Sequence, residues 1–268
     1  MSTAVQGIDP TTRKVPPMGG FNLVLVGIEL RRMLRNRRTI IFALIFPAAL
    51  FFVFGSGDQG AETLGDGAAP HSNVSAYVMV SMALYGGALI AASTGSGVAM
   101  ERSLGWSRQL RLTPLNPGVY ILIKAFVALV MGAFAITIVN VIGAIQGKPQ
   151  MPTSTWIYCA LLTLVCVMTF AALGVFVGYV VPGENAMQIL GPGLALLSFL
   201  GGLFIPLDQY ADWVRHIAYW TPMYGVAEVA RAPLTHELPW YAVVNAVGWF
   251  ALFVLGAAWR MSRDTARV

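Results

Sequence analysis

The residue types that most often support catalysis are few in this sequence, and they are scattered. The three histidines lie in connections between apolar stretches, without the spacing of a metal site: His71, His216 and His236. Asp208 and Asp212 lie one helical turn apart, but acidic residues in a connection most often form a solvated face. Because metal and acid–base catalysis need clustered carboxylates or histidines, we expect no catalytic residue, no metal and no enzyme activity in this chain.

A nucleotide site within the chain would require a phosphate-binding loop of the form G-x-x-x-x-G-K-[ST], and the sequence contains none. The nearest string, Gly143 to Lys148, has the wrong spacing and is followed by Pro149. If ATP drives this protein, another polypeptide must therefore supply the ATPase site.

Ionisable residues inside the apolar stretches could instead couple transport to protons or sodium ions. The candidates are Glu101, Lys124 and Glu184, and each lies within about two helical turns of a predicted span boundary. We expect these side chains to snorkel to the interface or to contact solvent. The pattern therefore disfavours an ion-coupled secondary carrier.

The composition indicates that helices in a membrane position these residues. Hydrophobic residues make up 57% of the 268 residues and charged residues 11%, against about 45–50% and about 25% in soluble domains. The charges separate apolar stretches of about twenty residues, the length of a helix that crosses a bilayer. We predict an all-α polytopic membrane protein with six transmembrane helices, over residues 39–54, 74–100, 119–145, 155–181, 186–205 and 240–259.

Three segments of the sequence differ from a regular transmembrane helix. Residues 1–20 are polar and contain several prolines and glycines, which predicts a flexible cytoplasmic leader before a single transmembrane domain over residues 21–268. Phe21 to Asn36 has apolar residues on one side and Arg31 and Arg35 on another, which predicts an amphipathic helix at the membrane surface. In the fifth span, Gly191-Pro192-Gly193 predicts a kinked or broken helix.

The distribution of basic residues predicts that both ends of the chain are cytoplasmic, because cytoplasmic connections carry more lysine and arginine. With the N-terminus inside, thirteen basic residues lie on the cytoplasmic side, and three lie on the outer side: Lys148, Arg215 and Arg231. The sequence has no long basic tract with interleaved aromatic residues, so we expect membrane lipids but no nucleic acid as partners. The predicted location is the cell membrane.

Small and mildly polar residues mark two further features of the spans. Small residues recur every four positions, including Gly87, Gly95, Gly174 and Gly178, and such stripes allow close helix contact within one chain or between two. Mildly polar residues could line a path for an amphipathic substrate or satisfy one another inside the bundle: Ser93, Thr94, Ser96, Thr137, Asn140 and Asn245. The sequence leaves these alternatives open.

The connection after the second span combines leucine and arginine residues and then reaches a proline. Glu101 to Pro117 reads ERSLGWSRQLRLTPLNP, in which three leucines alternate with three arginines: Leu104, Leu110 and Leu112 with Arg102, Arg108 and Arg111. The pattern predicts a short amphipathic helix at the cytoplasmic surface that stops at Pro114. Such a helix could anchor the chain to lipid or dock a soluble partner.

The string E-R-x-x-G-x-x-x-Q-L-x-x-T-P-L, from Glu101 to Leu115, resembles the coupling loop in the membrane subunit of type 2 ABC exporters. The surface helix and the layout of six spans also resemble that family. The last outer connection, from Pro206 to Pro239, resembles the family's outer re-entrant helices. The resemblance implies a homodimeric or heterodimeric permease that binds two cytoplasmic ATPase subunits, which would hold ATP and Mg²⁺. It assigns ATPase coupling to Glu101, Arg102, Leu104, Arg108, Leu110, Arg111 and Pro114, supported by Arg31, Arg32 and Arg35.

Exporters of this family carry drugs, antibiotics or polysaccharides, and the spans of this chain are mainly aliphatic and small rather than aromatic. We therefore expect export of a hydrophobic or amphipathic compound, such as a drug, an antibiotic or a lipid-like molecule, as in multidrug efflux and antibiotic resistance. The leading alternative is a membrane scaffold that recruits a soluble partner without transport, and a secondary carrier is less favoured.

Overall fold

The computed structural model describes residues 22–65, 67–105, 117–181, 183 and 185–265. Within these ranges the chain forms nine α-helices and no β-strand, apart from an isolated bridge between Thr63 and Asn73. The helices are α1 Leu23–Arg35, α2 Arg37–Gly55, α3 Val74–Ser103, α4 Pro117–Gln146, α5 Thr153–Val180, α6 Asn185–Leu200, α7 Asp212–Ala218, α8 Pro222–Thr235 and α9 Trp240–Thr265. The all-α prediction is confirmed.

Four helices of the described ranges are long and apolar enough to cross a membrane, namely α3, α4, α5 and α9. The helices α1 and α2 form one apolar stretch that bends by 62°, and they provide a fifth span if they are counted as one. With 16 residues, α6 is about 24 Å long, which is short for a full crossing. A polytopic membrane protein is therefore confirmed, whereas the count of six spans stays a prediction.

The Gly191-Pro192-Gly193 string does not break its helix, and this corrects one of the alternatives drawn from the sequence. Neither glycine has a positive φ, and α6 continues through Pro192 to Leu200. The helix ends at Leu200, five residues before the end of the predicted span over residues 186–205. The chain turns there, and Gly202 has a φ of +72°, a conformation that glycine adopts without strain.

The central helix of the bundle is α3, because 83% of its most apolar 18-residue segment is buried, against 17% of the corresponding segment of α9. Its most extensive contact is with α5, where the two backbones meet. A Cβ atom at Gly174 would lie 2.2 Å from the Ala92 carbonyl oxygen, and a Cβ at Gly95 would lie 2.4 Å from that of Ala171. The small-residue stripe thus packs α3 on α5 within one chain.

Consecutive helices from α3 to α6 run in opposite directions, so the bundle has two ends. We call one end the α1 face, and it contains α1, the end of α3, the start of α4 and the turn between α5 and α6. The opposite end contains α7, α8 and the segment after α2, which is tied down by hydrogen bonds. The Asn73 amide donates to the Lys148 carbonyl at 2.8 Å, and the Gln146 amide donates to Ser56 at 2.6 Å.

Arg231, one of the three basic residues assigned to the outer side, has its side chain buried in α8. Its guanidinium donates to Glu228 at 2.7 Å and to the Gly202 carbonyl at 3.1 Å, and it lies 4.4 Å from the centre of the Tyr77 ring. These contacts join α8 to α3 and to the end of α6. Without Arg231 the count of basic residues is thirteen against two, so the predicted orientation does not change.

We expect Gly174→Ala to destabilise the protein, because its Cβ would clash with the backbone of α3 rather than with a movable side chain. Overpacking of this kind should lower the thermal unfolding midpoint of the detergent-solubilised chain by about 5 °C. The matched control is Gly97→Ala in α3, where nothing lies within 4 Å of the added Cβ. Equal midpoints for the two variants would contradict the close contact of α3 with α5.

Candidate functional site

Four charged side chains from three helices meet at the α1 face, and we call them the ionic cluster. Glu29 and Arg32 lie in α1, Glu101 near the end of α3, and Lys124 near the start of α4. The Lys124 ammonium donates to Glu29 at 2.7 Å and also to Glu101. The Arg32 guanidinium donates to the same oxygen of Glu101 at 2.5 Å. The cluster therefore joins α1 to the ends of α3 and α4.

The core of the ionic cluster is shielded from solvent, since Glu29, Glu101 and Lys124 are only 7%, 5% and 2% exposed. The prediction that Glu101 and Lys124 snorkel or contact solvent is therefore wrong, because the packed helices bury both side chains and the two are paired with each other. Glu184 lies outside the described residues.

Glu29 is the member of the ionic cluster that sequence reasoning missed. It is the one acidic residue of α1, and it lies on the side of that helix that also buries Val26. An acidic residue three positions after a buried valine, on the apolar side of an amphipathic helix, was the available signal. Its partner Lys124 is 95 residues away along the chain, so the sequence did not show the pairing.

The arrangement of the ionic cluster suits mechanical linkage rather than catalysis. Its two carboxylates and two cations balance in charge, and removing one partner of a buried pair leaves the other uncompensated, at a cost of about 3–5 kcal/mol. Helix α1 makes few other contacts with the bundle, mainly with α4. The cluster should therefore keep α1 in register with the ends of α3 and α4.

Arg102 joins the end of α3 to the end of α5. Its guanidinium donates to the carbonyls of Gly178 and Tyr179 at 3.2 and 2.9 Å, and it lies 5.2 Å from the centre of the Tyr179 ring. These carbonyls belong to the last turn of α5, where a cation is favoured by the helix dipole. The neighbouring Leu104 is 71% exposed.

The structure places the remaining predicted coupling residues in two groups. Arg31 and Arg35 are exposed on α1, beside the ionic cluster. The others lie outside the described residues, and their role stays a prediction: Arg108, Leu110, Arg111 and Pro114.

Of the predicted path residues, Ser93, Thr94 and Ser96 line a cavity of about 440 Å³ that also contacts the ionic cluster. The other three lie elsewhere and use their side chains in local hydrogen bonds. Thr137 donates to the Ala133 carbonyl, Asn140 accepts from the Trp156 indole, and Asn245 donates to the Tyr219 carbonyl. The structure thus brings together three of the six residues.

Comparison with known proteins gives two matches. The model of the ABC-2 type transporter family matches residues 22–234, from the start of α1 to near the end of α8. A protein of Bacillus subtilis (strain 168), named "Putative transport permease YvfS", is 26% identical over 231 residues, which cover 85% of this chain and 91% of that protein.

We expect Lys124→Met to destabilise the protein strongly, because Glu29 and Glu101 would stay buried without their shared cation. The thermal unfolding midpoint in detergent should fall, and the double variant Glu29→Gln with Lys124→Met should recover part of the loss. Arg31→Met, which removes an exposed cation from α1, is the matched control. If Lys124→Met unfolds at the same temperature as Arg31→Met, the ionic cluster does not hold these helices together.

Proposed function

Since the chain belongs to the ABC-2 type transporter family, it is a membrane permease subunit without a catalytic role of its own, and we propose that it exports a hydrophobic or amphipathic compound. A separate ATPase subunit, which holds ATP and Mg²⁺, would drive the export. The observation that supports this proposal most is the position of Glu101, which begins the coupling-loop string and is also a member of the ionic cluster.

In the proposed mechanism, movement of the ATPase is transmitted through the connection that follows α3. Glu101 passes this movement to α4 through Lys124 and to α1 through Arg32. Arg102 passes it to the end of α5. Three helices thus respond together, because each contact is charged and two of the side chains involved are buried.

The proposed orientation puts the α1 face in the cytoplasm, where the ATPase would bind. Arg31, Arg32, Arg35 and Arg37 are all exposed at this face, in agreement with the excess of basic residues on cytoplasmic connections. The proposed assembly contains a second permease copy, identical or similar, and two ATPase subunits. Drugs and antibiotics are the proposed substrates, together with lipid-like molecules.

The direct test is co-purification of the detergent-solubilised chain with the ATPase encoded beside it, followed by an ATPase assay with and without the permease. A stable complex whose ATP hydrolysis depends on the permease is expected. A permease that binds the ATPase without changing hydrolysis or moving any substrate would favour the scaffold alternative. Purification of the chain without any ATPase would contradict the proposal.

We expect the double variant Arg108→Glu and Arg111→Glu to uncouple ATP hydrolysis from export, because charge reversal at a docking surface opposes binding. Export in proteoliposomes should fall by about tenfold or more, while membrane insertion stays normal. The matched control reverses two basic residues at the end of α9, Arg260→Glu and Arg263→Glu, and should retain more activity. Export at the wild-type rate by the first variant would refute the assignment.

A further inference from the structure

We propose that a groove between α2, α3 and α6 binds an anionic amphiphile drawn from the membrane, with its head group at the ionic cluster and its tail towards Pro192. This inference rests on the proposed function and specifies the substrate class.

The groove consists of two cavities that share Met187. The first, of about 440 Å³, lies at the α1 face beside the ionic cluster, and the second, of about 400 Å³, extends between α2 and α6. One face of α3 lines both cavities, with residues three or four apart: Tyr85, Leu89, Ser93, Ser96 and Met100. These residues extend over about 22 Å of helix, which is close to half the thickness of a bilayer with its head groups.

The polarity of the groove changes along its length. The cavity at the α1 face is lined by Glu29, Arg32, Arg35, Glu101 and Lys124, together with serine and threonine side chains. The second cavity is lined almost entirely by apolar side chains, among them Phe42, Phe46, Leu89, Pro192 and Ala195. A charged end followed by an apolar end matches a molecule with a polar head and a hydrocarbon tail.

The charges at the first cavity favour an anionic head group. The ionic cluster is neutral in itself, and Arg35 adds a further cation on the rim. Among the described residues, no acidic side chain pairs with Arg35. Arginine binds phosphate and carboxylate oxygens through parallel hydrogen bonds, so Arg35 supplies a partner for such a head group.

Glu101 provides a second and independent indication of a ligand. Its Oε2 atom is buried and has no hydrogen-bond partner within the part of the chain that the structure describes. An unpaired buried carboxylate oxygen costs free energy, so a donor from a ligand would stabilise it. A head group that carries an anionic oxygen for Arg35 and a hydroxyl hydrogen for Glu101 satisfies both residues, as a glycerol phosphate head does.

Flexible methionine side chains line both parts of the groove and would let it accept different amphiphiles. Met33 and Met100 line the head-group cavity, and Met187 lines both cavities, where its unbranched side chain adapts to the shape of the tail. A free soluble anion would leave the apolar half of the groove unfilled. The occupant is therefore an amphiphile from the membrane rather than a small anion from solution.

The test is a titration of the purified wild-type permease, followed by native mass spectrometry. The probes are phosphatidylglycerol and phosphatidylcholine with the same acyl chains, and sn-glycerol 3-phosphate without a tail. Phosphatidylglycerol should bind at least about fivefold more tightly than phosphatidylcholine, the effect of one arginine near an anionic head group. Glycerol phosphate should show no binding at the same concentrations.

Two pairs of variants distinguish lipid binding in the groove from general attraction of lipids to the protein surface. Arg35→Gln should remove the preference for phosphatidylglycerol, whereas Arg31→Gln, with the same loss of charge from an exposed residue of α1 outside the groove, should keep it. Ala195→Phe should weaken binding of both lipids by filling the apolar cavity. Leu196→Phe, at the next position and 60% exposed, should not.

Three outcomes would overturn the inference. Equal loss of preference in Arg35→Gln and Arg31→Gln would show attraction by the whole basic surface, and tight binding of glycerol phosphate alone would show a site for a soluble anion. Unchanged binding in both Arg35→Gln and Ala195→Phe would place the lipid elsewhere. The ATPase assay separates this inference from the proposed function. Permease-dependent ATP hydrolysis without a lipid preference would support the proposed function and contradict the lipid site. A lipid preference without such hydrolysis would support the lipid site and contradict the proposed function.

Discussion

The other helices of the bundle are arranged around the close contact of α3 with α5. In a membrane, helices satisfy their own backbone hydrogen bonds, and close packing rather than exclusion of water brings them together. The absence of side chains at Gly95 and Gly174 lets the two backbones touch, which fixes α3 at the centre. Helices α2, α4, α6 and α8 all contact α3. The two ends of α3 consequently become the places where polar side chains from several helices can meet.

Buried cations occupy both of these places. Lys124 joins α4 to α1 and α3 at the α1 face, and Arg231 joins α8 to α3 and the end of α6 at the opposite end. A buried charge in an apolar environment is tolerated only when its partners are in place, so each cation restricts how its helices can be arranged. The two differ in their surroundings. Lys124 borders a cavity and the connection assigned to ATPase coupling, whereas Arg231 has packed helices on all sides.

Glu101 links the proposed coupling and the proposed groove. One of its oxygens accepts hydrogen bonds from Lys124 and Arg32, and the other is buried and has no partner among the described residues. A head group that binds there and an ATPase that moves the following connection would act on the same side chain. The short α6, which contacts α3 less extensively than α2 and α4 do, leaves the space beside it in which the tail of an amphiphile would lie.

The sequence predicted the all-α membrane class and close bounds for the long helices, because apolar run length is a property of neighbouring residues. It also indicated the amphipathic pattern of α1. The folded chain was needed to show that Glu29 pairs with Lys124, that Arg231 is buried, that the glycine stripe packs within one chain and that α6 continues through Pro192. The physical reason is that the free energy of a charge or a glycine depends on what faces it. An isolated glutamate has the same local sequence pattern whether water or a lysine from a distant helix lies opposite it.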